Sequence, residues 1–245
     1  MLVTRPAHQH DEFAAALEEL GARAILAPAI EITAPDDPAP ARKAVAELRD
    51  YAWLVFTSAN GVRAFFDLFE DRACAARAIG ATKIAAIGPG TAAALRAYGI
   101  DAALIPLTYV AEDLARAIVA ASTPGDRLLI FRAQEARDVL ARDLHAAGRC
   151  PVVVAAYKTV FAHDERFAEK VAASDILTFT SASTVRGFVE NLGGRDAAVR
   201  AAEDKLVACI GPITAQEARA AGLRVDAIAR EYTARGLLQA LEQLA

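Results

Sequence analysis

The sequence predicts an α/β protein whose parallel sheets are covered by helices on both faces. Three observations carry that reading. Short apolar runs alternate with stretches of helix-spaced apolar residues, the signature of successive βαβ units. Glycines such as Gly21, Gly99 and Gly148 close the helical stretches, as C′ residues do. The chain also repeats itself. Trp53-Leu54-Val55-Phe56-Thr57-Ser58-Ala59-Asn60-Gly61-Val62-Arg63-Ala64-Phe65 recurs, 123 positions later, as Ile176-Leu177-Thr178-Phe179-Thr180-Ser181-Ala182-Ser183-Thr184-Val185-Arg186-Gly187-Phe188.

The same offset relates Ile87-Gly88-Pro89-Gly90-Thr91-Ala92 to Ile210-Gly211-Pro212-Ile213-Thr214-Ala215, Gly99 to Gly222 and Tyr109 to Tyr232. A gap-free match over about sixty residues marks a duplication. A second pair, offset by 127, relates Arg5, Asp11, Leu17 and Gly21 to Arg132, Asp138, Leu144 and Gly148. The order along the chain is therefore a, b, a′, b′.

Taken in order, Leu2-Val3 is a short strand, Phe13, Ala14, Leu17 and Leu20 mark a helix, and Ala24–Ala27 is a second strand. That is β-α-β, with a right-handed crossover expected. Ile30-Glu31-Ile32 alternates thinly, and the three prolines of 34–40 make a linker or boundary. A helix over 41–48 leads to the strand Trp53–Phe56 and a helix through Val62, Phe65, Phe66 and Phe69. Lys83–Ile87 reads as a strand, Gly88-Pro89-Gly90 as a tight turn and Thr91–Tyr98 as a helix. A strand over 102–105 and a helix over 112–120 follow, then a break at 123–126, a strand at 128–132, a helix over 135–147 and a strand over 151–156.

Two layouts fit. One cuts the chain near Ser122. The other pairs a with b′ and b with a′, so that the chain crosses twice, at 34–40 and at the polar stretch 158–164. The stronger break at 34–40 favours the second.

Composition narrows the function classes. A net charge of −4 gives no general attraction for nucleic acid or anionic membrane. Cys74, Cys150 and Cys209 are isolated and odd in number, so we expect buried free thiols in a reducing compartment rather than a disulfide framework or a zinc site. No apolar run is long enough to span a bilayer, and Leu2 enters a strand without a signal-peptide pattern. The expectation is a cytoplasmic protein.

In open α/β sheets ligands sit beyond the carboxyl ends of strands. Thr57-Ser58, Gly88-Pro89-Gly90-Thr91, Thr180-Ser181-Ala182-Ser183 and Gly211-Pro212-Ile213-Thr214 all fall there. Small residues let backbone amides approach a ligand, and helix starts favour anions, although Ser and Thr are also the ordinary N-caps. No dinucleotide fingerprint, phosphate loop or nucleophile elbow is present, which removes a nucleotide-dependent transferase. His8 and His10 lack partners at metal spacing and read as surface or loop histidines, so no metal is expected. Arg5 and Arg132 end matching strands and could pair with ligand carboxylates. Arg63 and Arg186 read as surface or intramolecular pairs. Tyr157 can donate a hydrogen bond or pack with a wet tip, and Tyr109 and Tyr232 share that ambiguity.

These residues together resemble one family. Val3-Thr4-Arg5-Pro6, the two Phe-Thr-Ser-x-x-x-Val-Arg repeats, Tyr157-Lys158-Thr159, Ile210-Gly211-Pro212-Ile213-Thr214-Ala215 and Glu231-Tyr232-Thr233 are similar, in order and over essentially the whole chain, to uroporphyrinogen-III synthases. The resemblance implies two flavodoxin-like doubly wound domains joined by a two-stranded linker: residues 1–33 with 162–245, and 38–157, connected by 34–37 and 158–161. It implies a cofactor-free enzyme that closes hydroxymethylbilane, a linear tetrapyrrole, into uroporphyrinogen III in the cleft between domains. The implied course is loss of the hydroxyl to an azafulvene, attack by ring D to a spiro-pyrrolenine, fragmentation and reclosure. Tyr157 is the implied proton donor. Thr57, Ser58, Thr91, Thr180, Ser181, Ser183, Gly211 and Thr214, with Thr4, Arg5 and Gly88, are the implied substrate contacts. A monomer, in contact at most with the bilane-forming enzyme, is expected. The alternative from another class is a non-catalytic two-domain protein closing on a small anion by hinge motion.

Overall fold

The computed structural model describes residues 1–7 and 10–243, with the side chains of Asp11 and Glu12 outside the description. His8, and the side chain of Asp11 that the repeat matches to Asp138, therefore lie outside the described residues. In chain order the elements begin β1 (Leu2–Val3), α1 (His10–Glu19), β2 (Ile25–Leu26), β3 (Ile30–Thr33), α2 (Ala39–Ala46), β4 (Trp53–Phe56), α3 (Ala59–Phe66) and α4 (Arg72–Ile79). They continue with β5 (Lys83–Ala86), α5 (Pro89–Ala97), α6 (Ala111–Ala121), β6 (Arg127–Ala133), α7 (Val139–Ala146) and β7 (Cys150–Phe161). The last are α8 (Phe167–Ala172), β8 (Ile176–Phe179), α9 (Ala182–Asn191), α10 (Arg195–Ala202), β9 (Leu206–Cys209), α11 (Pro212–Ala220), β10 (Ala227–Ile228) and α12 (Ala234–Glu242).

Contacts divide the chain into two units, Met1–Ile32 with Thr159–Ala245, and Thr33–Lys158. The first sheet runs β2-β1-β8-β9-β10, all parallel. Counted within its own unit this is order 2-1-3-4-5, the flavodoxin-like order. The second sheet runs β3-β7-β6-β4-β5, with β7, β6, β4 and β5 parallel. Counted from β6, its β7-β6-β4-β5 run followed by a parallel bridge at Leu104 is the same order begun at a different point. The second unit is a circular permutation of the first, as an a, b, a′, b′ chain folding as a+b′ and b+a′ requires.

The central strands are apolar on both sides because helices cover both faces of each sheet. All four residues of β4 are buried. Leu54 and Phe56 pack with α2, α3, α4 and α5, while Trp53 and Val55 pack with α6 and α7, as a side-chain period of two demands. In the first unit Leu177 and Phe179 meet α8, α9, α10 and α11, and Val3 and Ala208 meet α1 and α12.

Several boundaries differ from the sequence reading, each for a local reason. Gly88-Pro89-Gly90 is the start of α5 rather than a separate turn, with Gly88 as N-cap and Pro89 at the first helical position, where a missing N–H costs nothing. Helix α3 ends at Phe66, yet the Phe69 ring still lies 5.2 Å from that of Phe65. Helix α7 begins at Val139 rather than Glu135, because the Arg132 guanidinium binds both the Asp138 carboxylate, at 2.5 Å, and the Arg137 carbonyl, at 2.8 Å, and holds that loop out of the helix. The stretch 102–105 pairs at one residue only, Leu104 with Ala85, since Pro106 removes a donor and restricts the residue before it. The polar stretch after Tyr157 continues β7 to Phe161. Of the three cysteines only Cys209 is buried; Cys150 is exposed. Burial pushes the Cys209 thiol up to about 12.

Candidate functional site

Parallel strands place all their carboxyl ends on one edge, so the turns singled out by sequence gather there within each unit. In the second unit β4 leads through Thr57 and Ser58 into α3. Ser58 is the extended N-cap, and its Oγ accepts from the Gly61 N–H at 3.0 Å. A side chain at Gly61 would bring its Cβ to 3.2 Å from the Phe131 carbonyl oxygen; glycine allows the first turn of α3 to press onto β6.

That same Ser58 Oγ lies 2.9 Å from the Tyr157 hydroxyl. Strict alternation along β7 would not place the tyrosine there. Arg132 pairs with Ala155 but Ala133 pairs with Tyr157, so Ala156 is an extra residue in β7. Bulges re-aim side chains, and this one turns the phenol toward the α3 N-terminus. The ring is buried. Burial pushes the phenol above its ordinary range, while its hydrogen bonding with the Ser58 and Asn60 side chains pulls it partly back. Asn60 Oδ1 in turn accepts from Arg63 Nη1 at 3.1 Å.

The Gly-Pro-x-Thr starts of α5 and α11 are built alike. Gly88 and Gly211 are extended N-caps, with φ of −172° and −177°. Their need for glycine comes from an aromatic ring instead: a Cβ would sit 3.1 Å from Tyr109 at Gly88 and 3.3 Å from Tyr232 at Gly211. Thr91 and Thr214 are buried one turn in. The copies differ at Gly90 and Ile213, but a Cβ at Gly90 would meet nothing within 4 Å and Ile213 is 53% exposed. Packing does not impose that difference.

In the first unit Thr180 and Ser181 enter α9. Ser181 Oγ accepts from the Thr184 N–H at 3.2 Å, the Thr184 hydroxyl returns to the Ser181 backbone, and Ser181 Oγ lies 2.9 Å from Ser183 Oγ. Thr4 is fully buried, and its hydroxyl donates to the Thr178 carbonyl at 2.7 Å, while Thr178 donates to Leu2 at 2.7 Å. These two threonines tie β1 to β8 where the strand order reverses. Arg5 lies over the Phe13 ring, 5.4 Å from its centroid. Arg186 Nη1 pairs with Glu217 at 3.2 Å. His10, expected in a surface loop, is instead buried at the start of α1 with its ring against the Arg5 carbonyl. Among the described residues no group of three or more His, Cys, Asp or Glu could hold a metal, and no helix is long and apolar enough to cross a membrane.

One cluster was hidden by its composition. Asp36, within the proline-rich break, accepts from Lys158 Nζ at 2.6 Å and from Gln134 Nε2 at 2.6 Å, and its own N–H donates to Gln134 at 2.9 Å. Gln134 N–H also donates to the Tyr157 carbonyl at 2.8 Å, so the cluster holds the strand end that carries the phenol. The Lys158 and Gln134 hydrogen bonds hold the Asp36 carboxyl below its usual range. Its folded-state value is below the unfolded one, so the contact is fully present above about pH 4 and is lost as pH falls through the lowered value. Carboxyl NMR titration is expected to show Asp36 protonating below an ordinary aspartate, and Lys158→Met to move it up toward the ordinary range, the Gln134 bond remaining.

Three comparisons bear on this site. Residues 11–239 match the family model described as "Uroporphyrinogen-III synthase HemD". The chain is 34% identical to the "Uroporphyrinogen-III synthase" of Synechococcus elongatus, over 100% of this chain and 95% of that protein. Among solved structures, a mutant uroporphyrinogen III synthase from Thermus thermophilus superposes with a TM-score of 0.64 at 17% identity, covering 99% of this chain and 96% of that one. The uroporphyrinogen-III synthetase of Helicobacter pylori gives 0.61 at 18% identity, covering 90% and 92%. At those identities the structures speak for the fold, and the sequence matches speak for the family.

Proposed function

Since the chain belongs to the uroporphyrinogen-III synthase family, we propose that it cyclises hydroxymethylbilane to uroporphyrinogen III, with inversion of ring D and loss of water. It is then a cyclising hydro-lyase of haem biosynthesis. The observation that carries the reading is the buried Tyr157 phenol hydrogen-bonded to Ser58 at the carboxyl edge of the second sheet.

The first step needs an acid. The hydroxymethyl C–O bond breaks, the hydroxyl takes the phenol proton and leaves as water, and the pyrrole nitrogen's electron pair forms the exocyclic double bond. The pyrrole N–H returns a proton to the phenolate, leaving a neutral azafulvene. Ring D then attacks, and the spiro intermediate fragments and recloses without net redox change. The free bilane can close without inversion, so the protein's main contribution is to fold the chain and direct ring D.

The helix starts at Ser58, Thr91, Ser181 and Thr214, with Thr57, Thr180, Ser183, Gly88 and Gly211 beside them, supply backbone donors for substrate carboxylates. Arg5 adds a cation. Thr4 acts through the sheet, its hydroxyl being engaged by Thr178. We further propose domains at 1–33 with 162–245 and at 38–157, joined by 34–37 and 158–161, in a cytoplasmic monomer that receives its bilane from the enzyme that makes it.

The test is to supply hydroxymethylbilane, oxidise the products and separate type I from type III uroporphyrin. A type III excess that scales with protein is expected. Type I alone, at the uncatalysed rate, would leave only binding of the bilane.

A further inference from the structure

The duplication supplies an internal control for the helices of the first unit. At the 123-residue offset α4 and α5 of the second unit match α10 and α11 of the first, and α3 starts where α9 does. In the second unit two rings plug the space among the far ends of these helices. Phe66 and Tyr98 stack with parallel planes, their centroids 3.9 Å apart, and the Arg72 guanidinium lies over the Tyr98 ring, 5.2 Å from its centroid. The positions matching Phe66, Tyr98 and Arg72 are Val189, Ala221 and Arg195. Both rings are gone and the cation remains. In their place the first unit has a hollow of about 380 Å³, lined by Val189, Ala221 and Arg195 together with Phe161 and Val185.

The charges around this hollow are balanced. Arg186 is engaged by Glu217 at 3.2 Å, and Glu190 offsets Arg195 on the same lining. Arg195 makes no ion pair among the described residues. Its guanidinium sits beside Gly222, the residue after Ala221: a Cβ there would lie 3.2 Å from Nε and 3.4 Å from Nη2. The cation is therefore held next to the place its counterpart Arg72 covers with a ring.

We propose that this hollow binds a small uncharged aromatic molecule with one phenol-sized ring, seated against Val189 and Ala221 with its face to the Arg195 guanidinium. The volume is within the range of small-molecule pockets. A guanidinium over a ring face is attractive, and an apolar lining without partner atoms forfeits contacts that a ligand restores. With two charges of each sign around it, the hollow favours a neutral ring over an anion. The site is separate from the helix starts assigned to the bilane. Helices α9 and α11 begin at the carboxyl edge of their sheet, so the last turn of α9 and the Ala221 cap of α11 lie toward the opposite edge. The proposal stands without the synthase reading.

The experiment titrates the full chain, labelled at its valine methyls, with p-cresol, which is the tyrosine side chain as a free molecule, and with its ring-hydrogenated counterpart. The Val189 methyl resonances, assigned by their absence in Val189→Phe, are expected to shift saturably in the millimolar range. The aromatic probe should bind about two- to fivefold more tightly than the saturated one, the effect of an exposed cation–π contact, and Arg195→Met should erase that difference. Val189→Phe combined with Ala221→Tyr rebuilds the plug of the second unit and should abolish binding, read at the Val185 methyls. Val189→Phe alone, which fills half the space, should weaken it and serves if the double variant does not fold. Unshifted Val189 methyls up to the solubility limit of p-cresol would overturn the proposal. Equal affinity of wild type for the two probes, or binding that survives the rebuilt plug, would do the same.

Discussion

Tyr157→Phe is expected to lower kcat for type III formation by about a hundredfold, the lower end of what a positioned general acid contributes. The substitution removes one oxygen and nothing else. The ring stays in place, because its position is set by the Ala156 bulge and by the backbone bond from Gln134 to the Tyr157 carbonyl. Ser58 keeps its cap on Gly61, so the loss of stability should be that of one or two hydrogen bonds, about 1–2 kcal/mol. KM should change little, since the hydroxyl acts on a group that is leaving. The pH dependence has a sign. In the proposed role the acid form of the phenol is the active one, and burial raises its ionisation above the ordinary value. The Tyr157-dependent rate should therefore persist through neutral and mildly alkaline pH and fall only above the usual phenol range. Rates of type III product at saturating bilane, with thermal melts of both proteins, decide the matter; a Phe variant within twofold of wild type would remove Tyr157 from the proton-donor role.

Much of this could be read from the sequence because duplication and patterning are local signals. The buried run Trp53–Phe56, the glycines after α1, α5 and α7 and the 123-residue offset locate the strands and the repeated units along the chain. Ser58 and Ser181 were visible as helix N-caps, and both are. What was not visible depends on register. The bulge at Ala156 follows from which residue of β6 faces which of β7, and no residue type announces it. The Asp36, Gln134 and Lys158 cluster joins residues 98 and 122 positions apart, and its aspartate lay among prolines that read only as a break.

Gly187→Ala is expected to destabilise the first unit by about 2–3 kcal/mol, the cost of overpacking against something that cannot move. In an ordinary helix interior the same change stabilises by up to about 1 kcal/mol, because glycine loses more backbone entropy on folding. Here the sign reverses. A Cβ at Gly187 would lie 2.1 Å from the Ala29 carbonyl oxygen and 2.9 Å from its carbon. That carbonyl is fixed by the Ala162 N–H at 3.2 Å, while Asn191 Nδ2 ties the Ala162 carbonyl, at 2.7 Å, to that of Gly187, at 2.9 Å. The methyl therefore cannot be admitted by a side-chain rotation: either α9 moves off the β2–β3 connection or the Ala29 and Ala162 pairing breaks. Gly90→Ala is the control, since its Cβ would meet nothing within 4 Å, and it should be neutral or slightly stabilising. Thermal denaturation of the two variants should place Gly187→Ala lower by roughly 10 °C for a unit of this size. Equal melting of the two would mean that the close approach of α9 to Ala29 does not constrain this position.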